Sequence, residues 1–374
     1  MKILFYSTGL AAEYGGSAVS ESSLAQSLSE QHHLDILVPL GRLNPEFAQE
    51  KDLNRVIEIT LLDTLEALSS ESHWLTRAVQ ECDVAHLNGH WSLIQCMLAK
   101  LCKKNDKPYV LHPRGMFFVG HRKAFLKTIF NLCFGETLAR DCSAVIALSQ
   151  FEVRHFAPYR ILEKKIQVIP NGIPISLINP NATPVSRPYF LYLGRIEQRK
   201  NLLYLVRAFA EFLKTNPNFD LRLRGPVEKK YDQEVRAEIE KLRLQENIFL
   251  MPALYHAEKW EEIQLSQAVI YPTIEEAFGR VPFEAIATRT YCLIPEQSGS
   301  AEYLKPFLPD CVFDLDKPQT LVQSLRRISQ APKNSPALEK AFRWVEKELD
   351  WKQITAQVVQ IYSKITTRDF QKAA

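Results

Sequence analysis

Short apolar runs alternate along this chain with longer stretches whose apolar residues recur at helical spacing. Runs at 3–7, 34–39, 84–87, 109–111, 144–148 and 167–169 predict the strands of a first half. Runs at 189–193, 221–223, 248–251, 269–271, 292–294 and 312–313 predict those of a second. Strands interleaved with amphipathic helices, such as the one predicted over 202–212, build parallel sheets covered on both faces. The fold class is therefore α/β, with two Rossmann-like domains. Four prolines between 174 and 188, set among Asn and Ser, mark a linker over 174–184. That puts the first domain at 1–178 and the second at 185–350. From Trp351 a last helical stretch aligns Ile354, Val358, Ile361, Tyr362 and Ile365 on one face.

Composition narrows the class. A chain of 374 residues suits two domains better than one core. With 46% hydrophobic and 24% charged residues it reads as an ordinary globular protein. A net charge of +3 is too small to argue for nucleic acid. Met1 to Ser7 is too short an apolar segment for a secretory signal and reads as a first strand. With no run of membrane-spanning length, the expected location is the cytoplasm. Seven scattered cysteines, none in a Cys-x2-Cys pair, fit reduced thiols rather than a zinc site.

The most informative local pattern is Glu276-Ala277-Phe278-Gly279-Arg280-Val281-Pro282-Phe283-Glu284. Lying between two apolar runs, it reads as strand, tight loop and helix, with the loop at the carboxyl edge of a sheet. Free backbone N–H groups and a helix N-terminus suit an anion there, and the two carboxylates suit hydroxyls. A sugar attached to a nucleotide presents both; an acidic loop capping a helix is the bland alternative. The segment resembles the signature of retaining GT-B glycosyltransferases of family four. The resemblance extends over nearly the whole chain and implies two domains facing each other across a cleft, with the terminal helix crossing back to the first. It implies that Glu276 and the amides of Ala277, Phe278 and Gly279 hold the donor sugar, and that Glu284 binds the ribose. Ala277, Arg289 and Tyr291 depart from the family's usual Gly, Gly and Pro.

After the first strand of the second half comes Gly194-Arg195-Ile196-Glu197-Gln198-Arg199-Lys200. Arg195 offers a planar fork and Lys200 a point charge for a diphosphate, while Gly194 permits close approach. The stretch is similar to the family's Gly-Arg…Lys motif, which implies that Arg195 and Lys200 stabilise the leaving group and that no cofactor or metal is needed. Arg199 lies off the motif and reads as surface. Gly225 matches a glycine turn near the nucleotide. In the turn Gln297 to Glu302, Glu302 reads equally as pocket wall or as a helix-start carboxylate.

On the first half, Gly15-Gly16 precedes a helix and resembles the family's Gly-Gly loop over the donor phosphates; a plain turn is the other reading. It is not the Gly-x-Gly-x-x-Gly of nicotinamide enzymes. Leu111-His112-Pro113-Arg114-Gly115-Met116 resembles a segment lining the reaction centre, with His112 and Arg114 expected on one face of one extended strand. His86 and His90 flank another strand end. Basic and aromatic residues interleave from Phe117 to Lys127, as in a weak contact with an anionic lipid surface, although the following helix equally reads as packed on its domain. The resemblance implies a retaining glycosyltransferase that takes a nucleotide-sugar donor, itself a substrate. The expected acceptor is a glycan or lipid-linked glycan, in surface polysaccharide or lipopolysaccharide biosynthesis at the inner face of the cytoplasmic membrane. A GT-B epimerase or a two-lobed sugar-binding protein are the alternatives.

Overall fold

The structure is a computed structural model that describes residues 1–11, 15–53, 55–118, 124–175 and 187–373. Its contacts divide the chain into two compact units, Met1–Gly172 with Trp351–Ala374, and Ile173–Asp350. Residues 176–184 of the predicted linker and 119–123 of the basic aromatic segment lie outside the described residues.

In the first unit the strands are β1 (Lys2–Tyr6), β2 (His33–Pro39), β3 (Val56–Ile59), β4 (Val84–Asn88), β5 (Tyr109–His112), β6 (Ala144–Ala147) and β7 (Ile166–Val168). They form one parallel sheet in the order β3-β2-β1-β4-β5-β6-β7. Side chains alternate between its faces. Ile3 and Phe5 enter one core, with Leu24 and Leu28 of the helix Gly16–Ser29. Leu4 and Tyr6 enter the other, with Leu98 and Leu101 of the helix Leu93–Lys104. The terminal helix Trp351–Ala373 belongs to this unit and sends Ile354, Val358, Ile361, Tyr362 and Ile365 into the first of these cores. Each such side chain taken from water contributes about 1.5–3 kcal/mol. Gly172 fixes the helix entry, since a Cβ there would lie 2.3 Å from the Trp351 ring.

The second unit contains β8 (Tyr189–Leu193), β9 (Asp220–Arg224), β10 (Ile248–Met251), β11 (Ala268–Ile270), β12 (Tyr291–Pro295) and β13 (Val312–Phe313). Its parallel sheet runs β10-β9-β8-β11-β12-β13. The five residues of β8 and the three of β11 are all buried, which is why both read as unbroken apolar runs. Strand order reverses between β8 and β11, so the loops after them leave in opposite directions and open a crevice at the carboxyl edge.

Candidate active site

Two loops meet at that reversal. The first, after β8, begins at Gly194, whose N–H donates to the Arg224 carbonyl at 3.1 Å. Gly225 must be glycine here: its φ is +155°, and a Cβ would sit 1.8 Å from the Gly194 oxygen. The loop closes in a 3-10 turn, Gln198–Lys200, which turns Lys200 inward. Lys200 Nζ lies 2.9 Å from the Tyr271 hydroxyl and 2.9 Å from Glu276 Oε2. Arg195, by contrast, is 57% exposed, with its Nε 3.4 Å from Glu197. Its carbonyl accepts from the buried Tyr192 hydroxyl at 2.8 Å.

The second loop follows β11. Tyr271 donates to Glu276 Oε2 at 3.1 Å, so Lys200, Tyr271 and Glu276 close a three-membered cluster. The Glu276 carbonyl accepts from Gly299 N–H at 2.8 Å, which ties the acid to the turn after β12. Burial pushes the Glu276 carboxyl up, but Lys200, then Arg199, and the bonds from Lys200 and Tyr271 outweigh it and hold it below its ordinary value. Burial, reinforced by Glu276, raises the Tyr271 phenol well above its ordinary value. Ala277 and Phe278 are buried, and Phe278 stacks on Phe283 at 4.3 Å. Gly279, at φ +69°, caps the helix Arg280–Ala287; a Cβ there would press on Tyr271 at 3.0 Å and Glu276 at 3.1 Å. No acid occupies the first turn of that helix, although Glu276 packs against its cap residue Gly279.

Glu284 lies one turn deeper. It is buried, 2.6 Å from Lys259 Nζ and 3.4 Å from Arg280 Nη2. Burial raises its carboxyl and the two cations more than compensate, leaving it below the usual range. Arg280 Nε and Nη1 are buried without a hydrogen-bond partner among the described residues. Glu302 is exposed in the helix Gly299–Leu304. The chain also carries an Asp-x-Asp, Asp314-Leu315-Asp316, after β13. There Asp314 accepts from Gln297 at 2.7 Å and pairs with Lys317 at 3.0 Å.

In the first unit the expectation of one extended strand for His112 and Arg114 is corrected. β5 ends at His112, Pro113 has no N–H to continue a ladder, and Arg114 is left-handed with φ 53°. Both side chains are buried. His112 Nδ1 is 3.3 Å from His86 Nε2, and His86 Nδ1 is 2.6 Å from the Tyr362 hydroxyl of the terminal helix. Arg114 donates to Asn88 at 2.8 Å and Asn171 at 2.7 Å, and its Nε lies 3.9 Å from Glu21. His90 is enclosed by Phe117, Phe130 and Tyr159 and hydrogen-bonds Asn131 at 3.0 Å. Gly15 has φ +77° and caps the helix Gly16–Ser29, whose first turn carries no acid.

Sequence reasoning passed over three participants outright. Tyr271 sat unread beside the motif of Glu276, and Lys259 lies 25 positions before its partner Glu284. Arg199, read as surface, is exposed, and its charge helps to lower the Glu276 carboxyl. Glu21, fully buried, accepts from Ser7 at 2.6 Å and from Thr8 N–H at 2.9 Å, pinning the loop after β1. Arg280 stood inside the motif without a role of its own, and it pairs with Glu284 four residues on along one helix.

Two sequence models tile the chain: "Glycosyltransferase Family 4" matches residues 14–177 and "Glycosyl transferases group 1" matches residues 176–347. The chain belongs to the group 1, family 4 glycosyltransferases. Its α/β fold is GT-B, with two Rossmann-like units. This group 1 chain superposes on Anabaena HepE, solved in complex with UDP and glucose, with a TM-score of 0.79 at 19% identity, over 97% of this chain and 100% of that one. It is 22% identical to the D-inositol 3-phosphate glycosyltransferase of Segniliparus rotundus, over 54% of this chain and 48% of that protein. It is 23% identical to the GDP-mannose:cellobiosyl-diphosphopolyprenol alpha-mannosyltransferase of Xanthomonas oryzae pv. oryzae, over 56% and 55% of the two. The matched region thus spans about half the length of these curated relatives.

Proposed function

We propose that this protein is a retaining glycosyltransferase that moves a sugar from a nucleoside-diphosphate sugar to a glycan or lipid-linked glycan, in surface polysaccharide biosynthesis in the cytoplasm. The observation that carries the reading is the Lys200–Tyr271–Glu276 cluster at the strand reversal, where a cation and a carboxylate are fixed within 2.9 Å of each other beside a helix N-terminus. Lys200, with Arg195 at the rim, neutralises the diphosphate as its charge develops. Glu276 and the amides of residues 277–279 take the hydroxyls of the donor sugar. Glu284 takes the ribose, and the spare N–H groups of Arg280 lie beside it for a ligand oxygen. Gly194 and Gly225 keep the backbone close to the nucleotide, and Gly15 and Gly16 offer the first unit's helix N-terminus to an anionic group.

In the reaction the bond from the sugar's anomeric carbon to the diphosphate oxygen breaks. A bond to the acceptor oxygen forms on the same face, and the acceptor proton passes to the departing diphosphate. The fixed Lys200 and the Arg195 that orders on binding supply the charge stabilisation, so the reaction proceeds without a metal or cofactor. His112 and Arg114, both buried, hold the acceptor-side loops rather than exchange protons. The nucleotide-sugar class is supported by a similar fold solved in complex with UDP-glucose and by a relative named as a GDP-mannose-dependent mannosyltransferase. No helix among the described residues is long and apolar enough to cross a membrane.

The test is a thermal-shift screen of UDP-, GDP- and ADP-sugars, followed by product analysis with glycan acceptors in excess EDTA. A matched donor at a hundred times its Kd stabilises the fold by about 2.7 kcal/mol. The acceptor then gains one sugar residue and the nucleotide is released. An isomerised donor without transfer would favour the epimerase reading. Activity lost to EDTA and restored by magnesium would contradict the metal-free mechanism.

A further inference from the structure

On the second unit the helices after β8, β9 and β13 pack together, Leu202–Leu213 in contact with both Lys229–Lys241 and Pro318–Ser329. The steps from β8 to β9 and from β11 to β12 run in opposite directions across the sheet. Right-handed crossovers therefore put Leu202–Leu213 and the helix Arg280–Ala287, which carries Glu284, on opposite faces. The helix Leu202–Leu213 turns Leu202, Leu205, Phe209 and Phe212 into the core and leaves Leu203, Tyr204, Arg207 and Ala210 on its outer side. Along that outer side, where Ala210 is short, runs a groove of about 1010 Å³ walled by the other two helices. From Leu203 to Glu211 its floor rises about 12 Å. The volume stands at the top of the range of about 300–1,000 Å³ usual for ligand sites, which suits a chain of several rings.

The lining holds polar groups that the fold itself does not use. Four primary amides, Gln198, Asn201, Gln319 and Gln323, line the groove, and none of their side chains has a hydrogen-bond partner among the described residues. Asn201 stands at the N-cap position with φ 56°, yet its side chain makes no capping bond. The cap comes from across the groove: the Tyr231 hydroxyl accepts from Leu202 N–H at 2.8 Å and from Leu203 N–H at 3.3 Å. Tyr231 is 4% exposed, and its own O–H has no acceptor among the described residues. Charge along the walls cancels. Arg207 is bonded to Glu238 at 2.7 Å and Glu211 to Lys214 at 2.6 Å, which leaves Arg326 and Glu234, one of each sign.

These groups name a ligand class. An amide side chain offers a donor and an acceptor at once, as a hydroxyl does, and it favours neither sign of charge. The rings of Tyr204 and Tyr231 and the side chain of Leu203 give flat apolar surface for the C–H faces of sugar rings. A phosphorylated or carboxylated ligand finds no net positive charge here. A lipid chain would strand the four amides against hydrocarbon, at the cost of their hydration. We propose that this groove is a second, non-catalytic binding site and that it takes a neutral oligosaccharide. None of its lining residues is assigned to the donor, so the site goes beyond the donor reading and does not rest on it.

The experiment is calorimetric titration of the protein, without nucleotide, with maltohexaose, cellohexaose and mannohexaose, and with hexagalacturonate as the anionic probe. At least one neutral hexasaccharide binds the wild type, with an affinity that salt does not change. Gln319→Ala/Gln323→Ala binds it at least about fivefold more weakly, because two hydrogen bonds are lost. Ala210→Trp fills the floor of the groove and abolishes binding. The double variant changes only exposed side chains and keeps the wild-type unfolding temperature, so it decides the matter even where Ala210→Trp fails to fold. Absence of binding by all three neutral hexasaccharides overturns the proposal. Undiminished binding by the double variant also overturns it, since the glycan then sits elsewhere, as at the acceptor site of the proposed reaction. Tighter binding of hexagalacturonate than of the neutral probes overturns the ligand class. No nucleotide enters this readout, so its failure leaves the donor site untouched.

Discussion

Lys200 is nearly buried and held by Glu276 and Tyr271, so its charge is oriented before any diphosphate arrives. Lys200→Ala should therefore cut turnover by about a hundredfold or more, the usual loss for a fixed transition-state donor. Arg195→Ala should cost less, because that guanidinium is largely in water and must order on binding. Tyr271→Phe keeps the ring but frees both partners, and kcat should fall by about fivefold, one hydrogen bond's worth, with KM little changed. Steady-state kinetics on the three variants check the order; equal turnover in Lys200→Ala and wild type would remove Lys200 from the chemistry. Glu276, Glu284 and Lys200 were legible in the sequence because each sits in a local strand-loop-helix pattern. Tyr271 is 71 positions from Lys200 and Lys259 is 25 from Glu284, and no local pattern joins such pairs.

At the scale of elements, the paired glycines Gly194 and Gly225 let two adjacent loops touch backbone to backbone. Gly225→Ala drives a Cβ into the Gly194 oxygen at 1.8 Å in a backbone region that side chains rarely adopt. The second unit should lose about 2–4 kcal/mol, read as an earlier urea transition, and donor binding should fall with it. A wild-type transition would show that the loops do not meet this closely. The continuous apolar strands were legible from their composition. β3 was not: Val56–Ile59 is a four-residue edge strand with Ile57 and Glu58 facing out, and it never builds an apolar run. The end of β5 was misread for a related reason, since His112 and Arg114 look like one strand until Pro113 breaks its ladder.

For the molecule as a whole, the two units respond differently to acid. Burial lowers His86 to about 3 and His90 to about 4, and lowers His112 well below its ordinary value. A native pKa below the unfolded 6.5 means that the unfolded chain binds more protons in between. Stability is thus complete above about pH 6.5 and falls as pH drops, by about 1.4 kcal/mol per pH unit for each histidine. Glu21, raised by burial, partly offsets this above pH 4.5, whereas the lowered Glu276 and Glu284 withdraw their own contribution only below pH 4.5. Urea unfolding at pH 7.5, 6 and 5 should show the first unit weakening first; a flat profile down to pH 5 would contradict neutral buried histidines. The central claim is that the second unit holds a nucleoside-diphosphate sugar, with Glu276 on the sugar and Glu284 on the nucleoside. Calorimetry with the free nucleotide and the nucleotide sugar, on wild type, Glu276→Gln and Glu284→Gln, tests it most directly. The account predicts that Glu276→Gln weakens the nucleotide sugar alone, while Glu284→Gln weakens both ligands; equal losses for both ligands in Glu276→Gln would contradict it.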